Sequence, residues 1–229
     1  PPPEPGAVLD ALAEERYGAK GAPHARAAWT LLSDAFREYP FHISVVYTSP
    51  VQWGAANPLY PSRTGYRATM WGLPYDDLDS WRGPYPPEVF IEQFEKVARG
   101  WFAGVAELET ALARTPPEMR EEASGDVRLA VAAGVHFKSV ANQAAFVHAR
   151  DTLTTTPGDL SDARQRELRT TMATRLEDEI VLARRLFTLA RQDSRIGFEP
   201  SCQYFYLPLD LVEKVINCRW LLKHFEREP

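Results

Sequence analysis

Prolines divide this chain of 229 residues into helix-forming segments and one long segment that cannot be helical throughout. Prolines at positions 40, 50, 58, 61, 74 and 84 interrupt the stretch from Tyr39 to Tyr85. Proline lacks a backbone N–H and its ring clashes with the preceding turn, so no long helix can run through this stretch. We therefore expect a long irregular loop over residues 40–85. Within it, Ile43 to Tyr47 is predicted to form one short strand.

Outside this loop, apolar residues recur at helical spacing, which predicts an all-α fold. Two proline pairs, Pro86-Pro87 and Pro116-Pro117, are each followed by a glutamate and then by an apolar stripe, as is typical of helix starts. The segment 129–147 is apolar almost all round, which indicates a helix at the centre of a bundle. The sequence predicts a helical bundle of five or six helices.

The first forty residues are predicted to hold two of these helices. One apolar stripe ends near Tyr17, Gly18 and Gly21 interrupt the pattern, and Pro23 suits the first turn of a second helix. Residues 1–6 are proline-rich and are interpreted as a linker, so we expect a piece of a longer polypeptide. Residues 7–229 are predicted to form a single all-α domain.

Charge, hydropathy and cysteine content narrow the classes of function. The net charge is -5 without a basic tail, which argues against nucleic acid as a partner. No apolar run is long enough for a transmembrane helix, so no membrane partner is expected. Cys202 and Cys218 suggest neither a disulfide framework nor a zinc site. They suit a reducing compartment, which slightly favours the cytoplasm without fixing the localisation.

Known catalytic and metal-binding patterns are missing from the sequence. The histidines do not form a zinc-protease or di-iron pattern, and no glycine-rich phosphate loop or nucleophile elbow occurs. We therefore predict no metal, no cofactor and no catalytic residue.

The stretch from Tyr39 to Tyr85 is rich in aromatic residues, with ten of the 26 in the chain, and it contains no lysine. Aromatic faces with interspersed polar side chains suit the stacking of sugar rings, whereas the alternative is that these rings close the end of a bundle. Asp76 and Asp77 could contact substrate, perform acid–base chemistry with Glu199, or cap turns and pair with Arg82.

The acidic run Glu177-Asp178-Glu179 is interpreted as a solvated helix face.

Two groups of candidate residues follow. The candidates for sugar contact lie in the loop and are Trp53, Asn57, Arg63, Tyr66, Tyr75, Asp76, Asp77, Trp81 and Arg82. The candidates for a supporting set lie on the central helix and in a second irregular stretch, and are Asn142, Gln143, Arg195 and Glu199.

Several longer strings suggest a family. They are Glu-Tyr-Pro-Phe-His (38–42), Thr-Gly-Tyr-Arg-Ala-Thr-Met (64–70), Pro-Tyr-Asp-Asp-Leu-Asp-Ser-Trp-Arg-Gly (74–83), Val-Phe-Ile-Glu-Gln-Phe-Glu-Lys (89–96), His-Phe-Lys-Ser-Val-Ala-Asn-Gln (136–143) and Asp-Ser-Arg-Ile-Gly-Phe-Glu (193–199). With these strings the chain resembles the C-terminal helical region of large bacterial glycoside hydrolase-like proteins, similar to α-glucuronidases and α-N-acetylglucosaminidases. Pro200 and Cys202 depart from the pattern expected there.

The resemblance implies a role that composition does not. It implies an all-α domain that packs on a catalytic barrel domain of the same polypeptide, closes one side of a sugar pocket and is able to form a homodimer contact. The catalytic carboxylates would lie on the barrel, so none is assigned here. The alternative is a stand-alone interaction or scaffold module that docks a partner protein through its aromatic loop.

Overall fold

The computed structural model describes residues 4–68, 72–155, 158–199 and 203–225, and it confirms the all-α helical bundle. The helices of this described part are α1 (Pro5–Phe36), α2 (Ile43–Thr48), α3 (Leu78–Trp81), α4 (Pro87–Arg114), α5 (Arg120–Thr155), α6 (Asp162–Gln192) and α7 (Pro208–Phe225). Single turns of 3-10 helix occur at Gly54–Ala56 and Pro117–Met119. A small antiparallel hairpin pairs β1 (Phe198–Glu199) with β2 (Gln203–Tyr204).

The prediction of a strand at Ile43 to Tyr47 is wrong, because these residues form α2. The ring nitrogen Nδ1 of His42 accepts a hydrogen bond from the backbone N–H of Ser44 at 3.2 Å and so caps the helix. Thr48 donates from Oγ1 to the carbonyl oxygen of Ser44 at 2.7 Å, one turn earlier. Local capping therefore outweighs the strand preference of β-branched residues where no neighbouring strand is present to pair with.

The first helix contains a break where the sequence predicts one. Gly18 has a φ of 68° and a ψ of 167°, inside a segment that is otherwise helical. A second helical segment follows this kink, as predicted, but Pro23 lies inside it rather than at its start. The helix begins at Pro5, within the predicted linker of residues 1–6, of which residues 1–3 lie outside the described residues.

The helices pack into two compact units. The first comprises the described parts of Pro1–Tyr39 and Lys96–Gly134. In it, His24 Nδ1 lies 2.8 Å from Glu107 Oε2, which joins α1 to α4, and Trp101 Nε1 donates to the carbonyl oxygen of Ala130 at 2.8 Å, which joins α4 to α5. The prediction of one single domain over 7–229 stays a prediction.

The second unit comprises the described parts of Pro40–Glu95 and Val135–Pro229. It contains the predicted irregular loop, the hairpin, the second half of α5, and α6 packed on α7. Residues 139–147 of α5 are all buried, as expected for a central helix. All the candidate site residues fall in this unit.

Within the described residues, none of the helices combines the length and the apolar character that crossing a lipid bilayer requires.

Gly18→Ala should destabilise the chain by about 1–3 kcal/mol, because its φ and ψ belong to a region that is essentially confined to glycine. A Cβ at this position would also lie 2.7 Å from Cδ of Pro116. The measurement is the free energy of unfolding in urea. Gly6→Ala on the same helix is the control, since a Cβ there meets nothing within 4 Å. Equal stability of the two variants would contradict this reading of the break.

Candidate functional site

A cavity of about 380 Å³ opens in the second unit beside α2 and the hairpin. It is lined by three aromatic side chains, one aliphatic side chain and three polar side chains: Tyr47, Trp53, Phe205, Leu73, Thr48, Gln52 and Glu199. The volume falls within the range of about 300–1,000 Å³ that is usual for small-molecule sites. Aromatic walls with a few polar groups are also the usual composition of such sites.

Trp53 is the centre of the aromatic wall. Its ring centroid lies 5.9 Å from that of Tyr75 and 6.2 Å from that of Phe205. The indole Nε1–H is buried and has no hydrogen-bond partner among the described residues. A buried donor without an acceptor costs about 1–3 kcal/mol, so an occupant that accepts this bond would remove a penalty.

A set of buried amides holds the backbone that follows Trp53. Gln143 donates from Nε2 to the carbonyl oxygen of Gly54 at 2.6 Å, and its Oε1 accepts from Asn57 Nδ2 at 2.8 Å. Asn57 also donates to the carbonyl oxygen of Tyr75 at 3.0 Å. Backbone outside helices and strands lacks a regular series of backbone hydrogen bonds. These side chains from α5 and from the loop supply hydrogen-bond partners instead.

A fully buried ion pair lies behind these amides. The ammonium of Lys214 on α7 lies 3.1 Å from Oε2 of Glu179 on α6, and both side chains are 0% exposed. Glu179 also accepts from Ser139 Oγ at 2.7 Å and from Asn142 Nδ2 at 3.0 Å. Lys214 makes a short hydrogen bond to the carbonyl oxygen of Asn57. One charge pair thus joins α5, α6, α7 and the loop.

The same network extends to partly exposed side chains. Arg175 donates from Nη1 to Asn142 Oδ1 at 3.1 Å and to Glu95 Oε1 at 2.7 Å. Lys138 donates to both oxygens of Glu95, at 3.0 Å and 2.8 Å. Asn142 is therefore held at both ends of its amide, which fixes the orientation of that side chain.

A second buried ion pair ties the far part of the loop to α5. Arg150 donates from Nη1 to Asp76 Oδ2 and from Nη2 to the carbonyl oxygen of Asp76, both at 3.0 Å, and each side chain is 1% exposed. Asp76 also accepts from the backbone N–H and the hydroxyl of Thr64, at 2.8 Å and 2.9 Å. The carboxylate is fully engaged within the protein, so the geometry does not offer it as a catalytic group.

Asp77 has a structural role at the next position. It caps α3 by accepting from the backbone N–H of Ser80 at 3.4 Å. The hydroxyl of Ser80 and the guanidinium of Arg63 also donate to it, each at 2.7 Å. Burial raises the pKa of its carboxyl, but the bonds from Ser80 and the charge of Arg63 outweigh this and hold the pKa below its ordinary value. Arg82 is engaged nearby, with Asp79 and with the carbonyl oxygen of Tyr85.

His136 supports the cavity wall from behind. Its Nε2 makes a short hydrogen bond with the carbonyl oxygen of Val51, and because a carbonyl only accepts, Nε2 carries the proton. Gly54 has a φ of 52°, and a Cβ there would lie 2.5 Å from Nδ1 of His136. Burial lowers the pKa of this imidazole, although the bond to Val51 opposes the shift.

The structure places the predicted site residues in the cavity wall, in the interior or nearer the surface. Trp53 and Glu199 line the cavity, and Tyr75 touches it only through the ring of Trp53. The interior holds Asn57, Asp76 and Trp81, whose indole donates to the carbonyl oxygen of Pro74 at 2.7 Å.

The remaining predicted residues lie nearer the surface or act as supports. Tyr66 is 60% exposed and packs edge-on against Tyr60, 5.9 Å away. Arg63 pairs with Asp77, and Arg195 makes a bidentate pair with Asp193. Gln143 contacts the loop through Gly54 and Asn57, whereas Asn142 bonds Glu179 and Arg175 on α6.

Sequence reasoning missed two groups of residues. The first lines the cavity and consists of Tyr47, Thr48, Gln52, Leu73 and Phe205. The second is the Glu179–Lys214 pair, because Glu179 was assigned to a solvated face and is in fact buried. A signal existed: Glu179 shares the inward spacing of Leu176 and Ala183, and Lys214 that of Leu211.

Among the residues that the structure describes, no group of three or more His, Cys, Asp or Glu side chains could hold a metal ion. Cys218 is buried, and burial raises the pKa of its thiol to about 12. Cys202, considered with it in the sequence, lies outside the described residues.

Lys214→Met should destabilise the chain by about 3–5 kcal/mol, because it leaves the Glu179 carboxylate buried without a counter-charge. The measurement is the free energy of unfolding in urea or guanidinium. Arg164→Met is the control: it removes an exposed pair with Glu167 and should cost less than about 1 kcal/mol. A decrease in the free energy of unfolding as small as that of the control would contradict the conclusion that the buried pair stabilises the fold.

Acidification should destabilise the fold through His136. Its folded-state pKa is lowered, so the unfolded chain binds more protons, and stability is lost as pH falls from about 7 towards about 5. His136→Gln should make the dependence of the unfolding free energy on pH shallower over that range. His224→Gln controls for the loss of one histidine, and an unchanged slope in His136→Gln would contradict the burial of this ring.

Comparisons with known proteins give no family for this chain. No family model matches it, and no curated protein and no solved structure matches it either.

Proposed function

We propose that this chain is a non-catalytic helical domain of a carbohydrate-active protein, and that its cavity beside α2 binds a sugar ring. One observation carries the proposal: the cavity of about 380 Å³ combines the rings of Tyr47, Trp53 and Phe205 with polar side chains. The resemblance to the C-terminal helical region of glycoside hydrolase-like proteins points in the same direction.

The chemistry of the lining suits a pyranose. The C–H faces of a sugar ring pack on aromatic rings, while its hydroxyl groups need donors and acceptors at the rim. Thr48, Gln52 and Glu199 supply such groups. This combination supports a neutral, hydroxyl-rich ligand over a purely apolar one.

The support behind the wall favours binding without rearrangement. The carbonyl of Gly54 is fixed by Gln143, and that of Val51 by His136. A site that is held in its bound shape loses less conformational entropy when the ligand enters. In this proposal the buried amides keep the cavity wall in its binding shape, in addition to pairing buried polar groups with one another.

A catalytic barrel domain of the same polypeptide is the partner that we propose for this domain. Phe41 is 76% exposed and Ile43 63% exposed, next to the cavity residue Tyr47. Large apolar side chains at the surface favour burial against another protein surface. A barrel docked on Phe41 and Ile43 would place its own carboxylates near the sugar.

The exposed side chains at the start of α2 also favour a second candidate. A stand-alone interaction module would use Phe41, Ile43 and Tyr47 to dock a partner protein without any sugar. The two candidates differ in one measurable property, because only the first predicts saturable binding of a free saccharide to the isolated chain.

Glucose and cellobiose should bind this chain saturably in saturation-transfer NMR and calorimetry. Trp53→Leu should abolish the binding, and Tyr47→Ala should weaken it about tenfold, which corresponds to about 1.4 kcal/mol. Both Tyr47 and Tyr66 are 60% exposed, but only Tyr47 lines the cavity.

Tyr66→Ala is therefore the matched control and should bind as the unaltered chain does. Loss of binding in Tyr66→Ala with full binding in Tyr47→Ala would place the site elsewhere on the loop. The absence of saturable binding by either saccharide would reject the carbohydrate function and favour the interaction module.

A further inference from the structure

We propose that the exposed face of α7 pairs with the same face of a second copy of this chain, with the two helices antiparallel. The described residues that line the sugar cavity lie outside α7. A dimer of this kind therefore leaves the proposed sugar site accessible and adds an interaction to the proposed function. Two features of α7 carry the proposal, an exposed apolar stripe and a change in the sign of charge along it.

Four large apolar side chains form the stripe on α7. Leu209 is 74% exposed, Val212 39%, Ile216 63% and Trp220 54%. Their spacing of three, four and four residues places them on one side of the helix. The opposite side of α7 is buried within the second unit, so the helix is apolar on two faces and the stripe is the face that remains exposed. An exposed stripe of this kind marks a surface that another protein surface covers.

The stripe carries a projecting ring and lies beside a recess. The ring of Trp220 stacks on the imidazole of His224 one turn later, with centroids 5.0 Å apart and planes 11° apart. A side chain held in this way loses little rotamer freedom on binding, and tryptophan contributes strongly at protein interfaces. A groove of about 360 Å³ between α6 and α7 shares Val212 with the stripe and is lined also by Phe187 and Val215. The groove extends the apolar surface that a second protein surface can cover.

The charges beside the stripe change sign along the helix. Glu213 lies in the first half of α7, whereas Arg219 and Lys223 lie in the second half, and all three are exposed. A second copy in the antiparallel orientation brings the acidic half of each helix to the basic half of the other, which gives complementary charges at both ends of the contact. The dipoles of the two helices also oppose each other favourably in this orientation.

The antiparallel pair has a twofold axis, so each contact occurs twice. With the axis at Ile216, Glu213 of one copy lies level with Arg219 of the other, and Val212 lies level with Trp220. The largest side chain of the stripe thus lies level with the smallest. A parallel pair would instead place equal charges level with each other, and these would repel. The face is complementary to itself in one orientation, which is the reason for choosing a second copy as its occupant.

The size of the face sets the expected affinity. α7 has 18 residues, which correspond to about 27 Å at a rise of about 1.5 Å per residue. A contact centred on one helix pair of this length is smaller than the standard protein interface of about 1,600 Å². We therefore expect a reversible dimer with a dissociation constant of about 10 µM.

Sedimentation equilibrium of the unaltered chain between about 1 µM and about 300 µM should show a reversible change from monomer to dimer. Ile216→Lys places a charge at the centre of the stripe and should weaken the dimer about tenfold or more. Ile43→Lys on α2 is the matched control, because Ile43 and Ile216 are both 63% exposed. The control should dimerise as the unaltered chain does. Both positions are at the surface, and urea unfolding checks that each variant keeps its fold.

Glu213→Lys tests the orientation of the two helices. In the antiparallel pair it replaces attractive charges by like charges at two symmetric places, so it should weaken the dimer about fivefold. Adding Arg219→Glu and Lys223→Glu to the same chain should restore the affinity, because the two halves of the helix then carry opposite charges again. In a parallel pair Glu213→Lys would exchange one repulsion for another and leave the affinity unchanged.

Each other result overturns a stated part of the proposal. A dimer that persists in Ile216→Lys, or that is lost in Ile43→Lys, would place the contact between copies elsewhere on the chain. A chain that stays monomeric up to about 300 µM would show that a different protein surface covers the stripe. Unchanged affinity in Glu213→Lys would overturn the antiparallel orientation. Titration of the same samples with glucose tests the sugar site separately, so either proposal can fail without the other.

Discussion

The buried pair of Glu179 and Lys214 is the interaction on which the rest of the second unit depends. Two charges removed from water are tolerable only when each is paired and hydrogen-bonded, and here the donors of Ser139 and Asn142 and the carbonyl of Asn57 meet that need. Since these partners belong to α5 and to the loop, satisfying the pair requires the loop to take one place on the helices. The need to pair and hydrogen-bond two buried charges thereby fixes the position of the loop, which has little regular secondary structure of its own.

The wall of the proposed binding cavity belongs to the same loop and shares this order. Trp53 and Gln52 lie between Val51, held by His136, and Gly54, held by Gln143. The cavity is therefore carried by a backbone that is fixed on both sides by side chains of α5, although it lies outside regular secondary structure. Binding sites on loops are precise only when a rigid scaffold positions them, and the polar side chains of the central helix provide that scaffold here.

Much of the fold could be predicted from the sequence, because proline positions and helical periodicity act locally. The break at Gly18, the start of α4 and the buried segment of α5 can be predicted from such signals. The wrong prediction of a strand at α2 has a different origin. Capping by His42 depends on the rotamer of that side chain, which secondary-structure preferences of residue types do not describe. For the cavity, the sequence predicts Trp53 as a contact residue and Glu199 as a supporting one, but Phe205 and Leu73 are brought to it only by tertiary packing.

The contact between Gly54 and His136 has a consequence for how this cavity can change during evolution. Its inner wall rests on a backbone position with no room for a side chain, so mutations there meet the imidazole before they meet a ligand. Its outer wall is formed by Tyr47, which is 60% exposed and free to vary without disturbing the interior. New ligand preferences should therefore arise from substitutions on one wall only, and related proteins with different ligands would share the inner wall and differ at the outer one.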